Sequence, residues 1–168
     1  MPTDRETAAS AAGTRMVTRT GSASPAGSPD PGPSDLARIT VHRQVEWVDT
    51  DAAGHHHFSA PLLWVEQAES LLYDRLGIVD FIAASVPRVH FEIDYLARLK
   101  YRDTFELTLA VERLGRSSLT YQFEIMTSAG MVAQGSLVIV LTKGSDSKAR
   151  AWPEQVRSIL ASAGDQSR

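Results

Sequence analysis

The sequence predicts an α+β domain in which one strongly curved, five-stranded antiparallel sheet wraps around one long central helix. Only one long segment spaces its apolar residues as an amphipathic helix does, whereas five segments alternate apolar and polar residues as strands do. The apolar surface of the helical segment is also too wide for a single stripe. One helix covers a five-stranded sheet only if the sheet curls around it, and curling buries the helix on several sides.

The first strand is predicted over residues 39–48, where β-branched and aromatic residues alternate with polar ones. Its apolar parity comprises Ile39, Val41, Val45 and Trp47. The strand is predicted to stop at Asp49–Gly54, because Asp, Thr and Gly in close succession are typical of turns.

The long helix is predicted to begin at Ser59 and to end at Gly77. Its apolar residues recur at helical spacing: Leu62, Val65, Ala68, Leu72 and Leu76. Ser59 is a suitable N-cap, Pro61 suits a first helical turn, and Gly77 suits a left-handed C-terminal position. Four further residues widen the apolar surface and predict burial on more than one side: Leu63, Trp64, Leu71 and Tyr73.

The chain after the helix is predicted to form an antiparallel meander of four strands and then a short terminal helix at residues 154–161. The apolar residues that alternate with their neighbours in the first three of these strands are Val89, Phe91, Ile93 and Tyr95, then Phe105, Leu107, Leu109 and Val111, then Leu119, Tyr121, Phe123 and Ile125. The last strand is predicted over Met131–Leu141. A curved sheet of this kind keeps two open edges, which favours pairing with a second copy, so we expect a homodimer or tetramer.

Composition limits the classes of function. The chain has 168 residues, of which 43% are hydrophobic and 22% charged, and its formal net charge is -3. This makeup is typical of one globular domain, and the negative balance disfavours nucleic acid as a partner. The absence of cysteine excludes disulfides, thiolate zinc sites and a cysteine nucleophile. No apolar run is long enough for a membrane span or a signal peptide, so we expect no membrane partner and a cytoplasmic location.

Residues 1–36 differ from the rest of the chain and are predicted to be a disordered tail. Five of the eight prolines lie there among Ala, Ser, Thr and Gly, and the segment has no aromatic residue. It cannot bury enough apolar surface to offset an ordering cost of about 1–2 kcal/mol per residue. Residues 37–168 are therefore predicted to form one domain.

The most informative stretch runs from Asp49 to Phe58, because it places two carboxylates at a strand end and leads directly into the helix. Unpaired N–H groups of a first helical turn stabilise an oxyanion that develops on a carbonyl, and a nearby carboxylate can act as nucleophile or orient a water. Small residues before the helix let backbone approach a ligand closely, which makes Gly54 a candidate substrate contact. The alternative is that Asp49 and Asp51 are turn residues that make local hydrogen bonds.

Three strings carry a resemblance to a known family. DTDAAG begins at Asp49, IDYLARLKYRD occupies residues 93–103, and LGRSSLTYQFEI occupies residues 114–125. Together they resemble the hotdog-fold acyl-CoA thioesterases, in particular the 4-hydroxybenzoyl-CoA thioesterase branch. The resemblance implies that Asp51 is the catalytic carboxylate. It also implies that a backbone amide of Phe58 or His57, at the start of the central helix, polarises the thioester carbonyl across a dimer interface.

The chain departs from the family pattern at the start of the helix. Many relatives have Tyr-His where this chain has His57-Phe58, so the usual imidazole is displaced by one position, and His55, His56 and His57 are alternatives for its role. Three consecutive histidines also suggest a metal site. Adjacent side chains diverge, however, and no further ligands stand at helix or strand spacing, so no metal is predicted. The sequence has no glycine-rich phosphate loop, and no cofactor is expected.

The resemblance also nominates residues that contact the substrate. Those expected to line an acyl or aryl pocket are Trp64, Phe58 and the histidines that begin at His55. Those that resemble a family position near the pantetheine tunnel are Arg116, Ser117 and Ser118. A guanidinium at that position suits a phosphate of coenzyme A.

The leading hypothesis is hydrolysis of an acyl-CoA, or of an acyl group on a carrier-protein pantetheine, to free acid and thiol. A hydroxyacyl-thioester dehydratase is an alternative, because residues 57–61 resemble its His-Phe-Pro-Gly-x-Pro signature, although Ala60 replaces the glycine and Leu71 stands where a carboxylate is expected. A non-catalytic acyl-CoA-binding domain is the third hypothesis. Glu66 offers a helix carboxylate that is either a general base, as in another branch of hotdog thioesterases, or a structural acceptor.

Overall fold

The structure, a computed structural model, describes residue 32 and residues 35–82, 86–143 and 148–167. The predicted tail, residues 1–36, lies outside the described residues apart from Gly32, Asp35 and Leu36. Five strands form one antiparallel sheet: β1 Arg38–Gln44, β2 Arg88–Tyr95, β3 Thr104–Leu114, β4 Ser118–Thr127 and β5 Gly130–Val140. Three α-helices accompany it: α1 Ala60–Leu76, α2 Val79–Ile82 and α3 Glu154–Ser162. The predicted combination of a five-stranded antiparallel sheet with one long helix is confirmed.

The strand order differs from the predicted meander. The sheet runs β1-β3-β4-β5-β2, so β2 does not pair with its sequence neighbour β3 but lies at the opposite edge, beside β5. Gly135 of β5 permits this pairing at close range, because a Cβ there would lie 2.0 Å from the Glu92 carbonyl oxygen and 2.7 Å from the Phe123 ring. Alternating residues identify strands but not their neighbours, and the meander prediction was wrong for β2.

The first strand is shorter than predicted. It ends at Gln44, and a 3-10 turn follows at Trp47–Asp49. The Asp49 carboxylate accepts the Glu46 N–H at 2.8 Å. This local hydrogen bond stabilises a turn at the position where the strand was predicted to continue. As a result the Trp47 side chain is 75% exposed, whereas Val45, which was predicted to share its face of the strand, is buried.

Helix α1 has the predicted bounds. Ser59 occupies the N-cap position and Gly77 ends the helix with φ 65°. The face that packs on the sheet includes Trp64, Val65, Ala68, Leu72 and Tyr73. Leu63 and Leu71, however, are 52% and 41% exposed, so the described chain covers only part of the wide apolar surface that the sequence predicts.

The two edges of the sheet are unequal. The C-terminal residues cover the edge of β1, where Arg38 donates its N–H to the Gly164 carbonyl oxygen at 2.9 Å and Gln166 donates to the Arg38 carbonyl oxygen at 2.7 Å. No segment of the described ranges pairs with the outer edge of β2. None of the described helices has the length and apolar character of a membrane span.

Candidate active site

The turn between β1 and α1 folds back on itself and presents the predicted site residues at the start of the helix. Asp51 donates its N–H to the His55 carbonyl oxygen at 3.0 Å, and His57 donates its N–H to the Asp49 carbonyl oxygen at 2.7 Å. Gly54 lies at the tip with φ 81°, a conformation that favours glycine. This small hairpin sets the two aspartates beside the segment that leads into α1.

One of the two Asp51 carboxylate oxygens accepts a hydrogen bond within the turn. Its Oδ1 accepts the Ala53 N–H at 2.8 Å and lies 4.0 Å from His55 Nδ1. No group in the described residues bonds to its second oxygen, and the side chain is 35% exposed. The local hydrogen bond that a plain turn residue would make is therefore present, yet the carboxylate keeps an oxygen open to a ligand.

Of the two backbone amides that the sequence left as alternatives, only one is free. The His57 N–H is bonded to the Asp49 carbonyl oxygen, which removes it as an oxyanion donor. Ser59 donates its N–H to His57 Nδ1 at 3.2 Å, and Ala60 donates to the His57 carbonyl oxygen at 2.9 Å. The Phe58 N–H has no acceptor among the described residues, so among the amides of residues 57–60 it is the one available to a ligand.

The three histidines point to different neighbours, as adjacent side chains in an extended segment do. His56 is buried and accepts the Leu99 N–H on Nδ1 at 3.0 Å, and burial lowers its pKa. His57 Nδ1 lies 2.7 Å from the Ser59 hydroxyl. His55 alone lies beside a carboxylate, that of Asp51. No cluster of three metal-ligating side chains occurs in the part of the chain that the structure describes.

The aromatic residues predicted for the pocket divide into one core residue and one surface residue. Trp64 is 3% exposed, and its ring lies 4.4 Å from that of Phe105 and 5.7 Å from that of His56. Its ring packs in the core of the described chain, and the expectation that Trp64 lines the acyl pocket stays a prediction. The Phe58 side chain is exposed and stands next to the free amide.

The residues predicted near the pantetheine lie far from Asp51 in the same chain. The sheet has a site end, where Gln44 pairs with Thr104, and a far end, where Leu114 pairs with Leu119. Strand β3 joins these ends over eleven residues, which at about 3.3 Å per residue is roughly 33 Å measured along the strand. One chain therefore does not bring Arg116, Ser117 and Ser118 to Asp51.

A carboxylate that the sequence patterns did not single out is buried in the structure. Glu69 on α1 is 0% exposed, accepts the Tyr73 hydroxyl at 2.6 Å and binds the Arg88 guanidinium of β2 at 2.5 Å. Glu66, the helix carboxylate that the sequence singled out, is half-exposed and pairs with the same Arg88 at 3.3 Å. The signal for Glu69 was its place four residues after Val65 and four before Tyr73, on the buried face.

A family model for the thioesterase-like superfamily matches residues 45–160. The matched range contains the site hairpin, the whole of α1 and strands β2 to β5. This chain belongs to the thioesterase-like superfamily. The predicted hotdog-fold thioesterase is thereby confirmed, and the protein is an enzyme of the thioesterase class.

Named relatives of this thioesterase agree on one activity. The chain is 29% identical over 128 residues to a 1,4-dihydroxy-2-naphthoyl-CoA hydrolase of Synechococcus sp. (strain CC9605), which covers 70% of this chain and 86% of the relative. It is 31% identical over 131 residues to the enzyme of the same name from Parasynechococcus marenigrum (strain WH8102), with 70% and 86% covered. Its fold is shared with a solved 1,4-dihydroxy-2-naphthoyl-CoA thioesterase from Synechocystis, with a TM-score of 0.64, 24% identity, and 73% and 95% of the two chains covered.

Proposed function

We propose that this thioesterase hydrolyses an acyl-CoA to the free acid and coenzyme A, using Asp51 and the Phe58 amide. The observation that carries the proposal is the Phe58 N–H just before α1, which has no acceptor among the described residues and follows by seven positions a carboxylate with an open oxygen. The named relatives are hydrolases of a CoA thioester, which supports the same class of substrate here.

The reaction needs a donor at the carbonyl oxygen and a group that brings in the new oxygen. The Phe58 N–H donates to the thioester carbonyl, and the negative charge that grows on that oxygen is stabilised by about 3–4 kcal/mol per donor in well-studied hydrolases. Asp51 either attacks the carbonyl carbon or takes the proton of an attacking water. In both routes the C–S bond breaks, and the thiolate leaves and takes up a proton. If Asp51 attacks, the mixed anhydride that forms is hydrolysed by water, which releases the acid and restores the carboxylate; if water attacks, Asp51 takes its proton and the acid forms directly.

The complete site is proposed to need a second copy of the chain. No described segment pairs with the outer edge of β2, and exposed apolar residues lie on α1 and on or directly after β2: Leu63, Leu71, Val89, Tyr95 and Leu96. Edge-to-edge antiparallel pairing at β2 covers this surface and relates the two copies by a two-fold axis. That symmetry sets the site end of one chain beside the far end of the other. Arg116 of the partner subunit then reaches the substrate that Arg116 of the same chain cannot.

A thiol-release assay with a panel of acyl-CoA substrates tests the proposal. The wild type is expected to release thiol, and Asp51→Ala is expected to lower turnover by about a hundredfold or more while it remains folded. Glu124→Gln is the control, because it removes an exposed carboxylate on β4, which β5 separates from the β2 edge. Near-normal turnover in Asp51→Ala contradicts the carboxylate mechanism, and an enoyl product or binding without turnover contradicts hydrolysis itself.

A further inference from the structure

We propose that Tyr95 is a positioning residue for the Phe58 amide, an inference that rests on the proposed function. Tyr95 is the last residue of β2, and its hydroxyl donates to the Phe58 carbonyl oxygen at 2.5 Å. Its ring also stacks on His56, with centroids 6.4 Å apart and planes inclined by 25°. Two separate contacts therefore join the end of β2 to the segment that carries the proposed oxyanion donor.

The hydrogen bond matters because of where it falls along the backbone. The peptide group that contains the Phe58 N–H also contains the His57 carbonyl, and Ala60 holds that carbonyl at 2.9 Å. The next peptide group contains the Phe58 carbonyl, which Tyr95 holds. Both peptide groups that flank the Phe58 α-carbon are thus held by hydrogen bonds, while the Phe58 N–H of the first group has no acceptor in the described part of the chain. An oxyanion donor works by this combination of fixed direction and unused bonding capacity.

The surroundings keep the Tyr95 hydroxyl a donor. Partial burial raises the pKa of Tyr95, so the phenol stays protonated through neutral and moderately alkaline pH. At the other end of β2, Arg88 binds Glu69 of α1. Side chains at both ends of β2 therefore bind α1 or the segment before it. Arg88 binds Glu69 at one end, and Tyr95 binds the Phe58 carbonyl oxygen at the other.

The effect of removing the hydroxyl should fall on turnover more than on binding. Tyr95→Phe keeps the ring and its contact with His56 but frees the Phe58 carbonyl. A small misalignment of a catalytic donor costs up to about a hundredfold in rate, and loss of one of the three hydrogen bonds that hold these two peptide groups is expected to lower kcat by about tenfold. KM should change by less than about twofold, because the free amide acts mainly on the charge that develops during reaction.

Steady-state kinetics of Tyr95→Phe and Tyr101→Phe test whether the Tyr95 hydroxyl positions the Phe58 amide. Tyr101 packs its ring against Trp47, so its phenylalanine variant is the matched control and should keep wild-type kcat and KM. Hydrogen–deuterium exchange of residues 57–59 should rise in Tyr95→Phe and stay unchanged in the control. Melting temperatures of both variants establish that kcat is measured on folded protein.

The outcomes separate the two proposals. A wild type that releases no thiol overturns the proposed function and the role of Tyr95 together. An active wild type with a Tyr95→Phe variant that keeps its kcat, or that raises only KM, overturns the role of Tyr95 alone.

Discussion

Two carboxylates on either side of the α1 start have opposite surroundings. Glu69 is fully buried on α1, and both of its oxygens are bound, one by the Tyr73 hydroxyl and one by the Arg88 guanidinium. Asp51 precedes the helix, is partly exposed and has one oxygen without a partner among the described residues, seven positions before the unbonded Phe58 N–H. A carboxylate whose oxygens are all satisfied stabilises the fold, whereas one with spare capacity next to an unused donor can act on a ligand.

The network around Glu69 extends into the core. Tyr121, which is fully buried on β4, donates its hydroxyl to the Tyr73 hydroxyl at 3.0 Å. Burial raises the pKa of Glu69 and raises that of both tyrosines well above the usual value. The chain from Tyr121 through Tyr73 and Glu69 to Arg88 therefore links the middle of the sheet to its open edge without leaving a polar group unpaired.

The largest expected effect on stability comes from removing the buried carboxylate. Glu69→Ala leaves the Arg88 charge and the Tyr73 hydroxyl without their partner and is expected to lower the free energy of unfolding by about 3–5 kcal/mol. Urea unfolding followed by circular dichroism measures this loss. Glu66→Ala is the matched control, because its half-exposed pair with Arg88 should contribute less than about 1 kcal/mol. Equal losses in the two variants would contradict the assignment of Glu69 as the structural carboxylate.

A smaller effect is expected from His56, the buried neighbour of the site. Burial lowers its pKa in the folded state, so between that pKa and about 6.5 the unfolded chain binds a proton that the folded chain does not. Stability should therefore be complete above about pH 6.5 and should fall as the pH drops through this window. Thermal unfolding at pH 7.5 and 5.5 measures the dependence.

Two glutamine variants isolate that contribution. His56→Gln should flatten the difference between the two pH values, whereas His42→Gln should not, because His42 is largely exposed. The same pH dependence in wild type and His56→Gln would remove His56 as its source.

The smallest expected effect is on substrate binding by Arg116, which lies at the opposite end of the sheet from Asp51. If Arg116 of the partner subunit binds a phosphate of coenzyme A, Arg116→Ala should raise KM by about threefold to tenfold and leave kcat nearly unchanged. Arg113→Ala removes a neighbouring exposed guanidinium and should leave KM at the wild-type value. A KM that responds equally to both variants, or to neither, contradicts the proposed contact.

Local patterns in the sequence predicted most of the elements. The spacing from Leu62 to Leu76 and the flanking Ser59 and Gly77 predicted α1 at its observed bounds. What the patterns missed was set by distant partners. The place of β2 beside β5 depends on Gly135, which leaves room for the Glu92 carbonyl, and a lone glycine in a strand does not reveal which strand approaches it.

In the candidate site, too, local patterns predicted some features and distant contacts determined the others. Asp51 and the choice between the His57 and Phe58 amides followed from one short motif and a family resemblance. The choice itself required the Asp49 carbonyl bond to His57, and Tyr95 required a contact between residues 37 positions apart. Hydrogen bonds of that range leave no periodic trace in a sequence.

One paired measurement tests the contrast between the two carboxylates most directly. Asp51→Asn and Glu69→Gln each replace a carboxylate by an amide of the same shape, and thiol release and urea unfolding are measured for both at a temperature where both are folded. We predict that Asp51→Asn loses about a hundredfold in kcat with unfolding free energy near wild type, while Glu69→Gln loses stability and keeps kcat within about threefold. Near-wild-type turnover in Asp51→Asn, or a loss of turnover without a loss of stability in Glu69→Gln, would contradict the proposed active site.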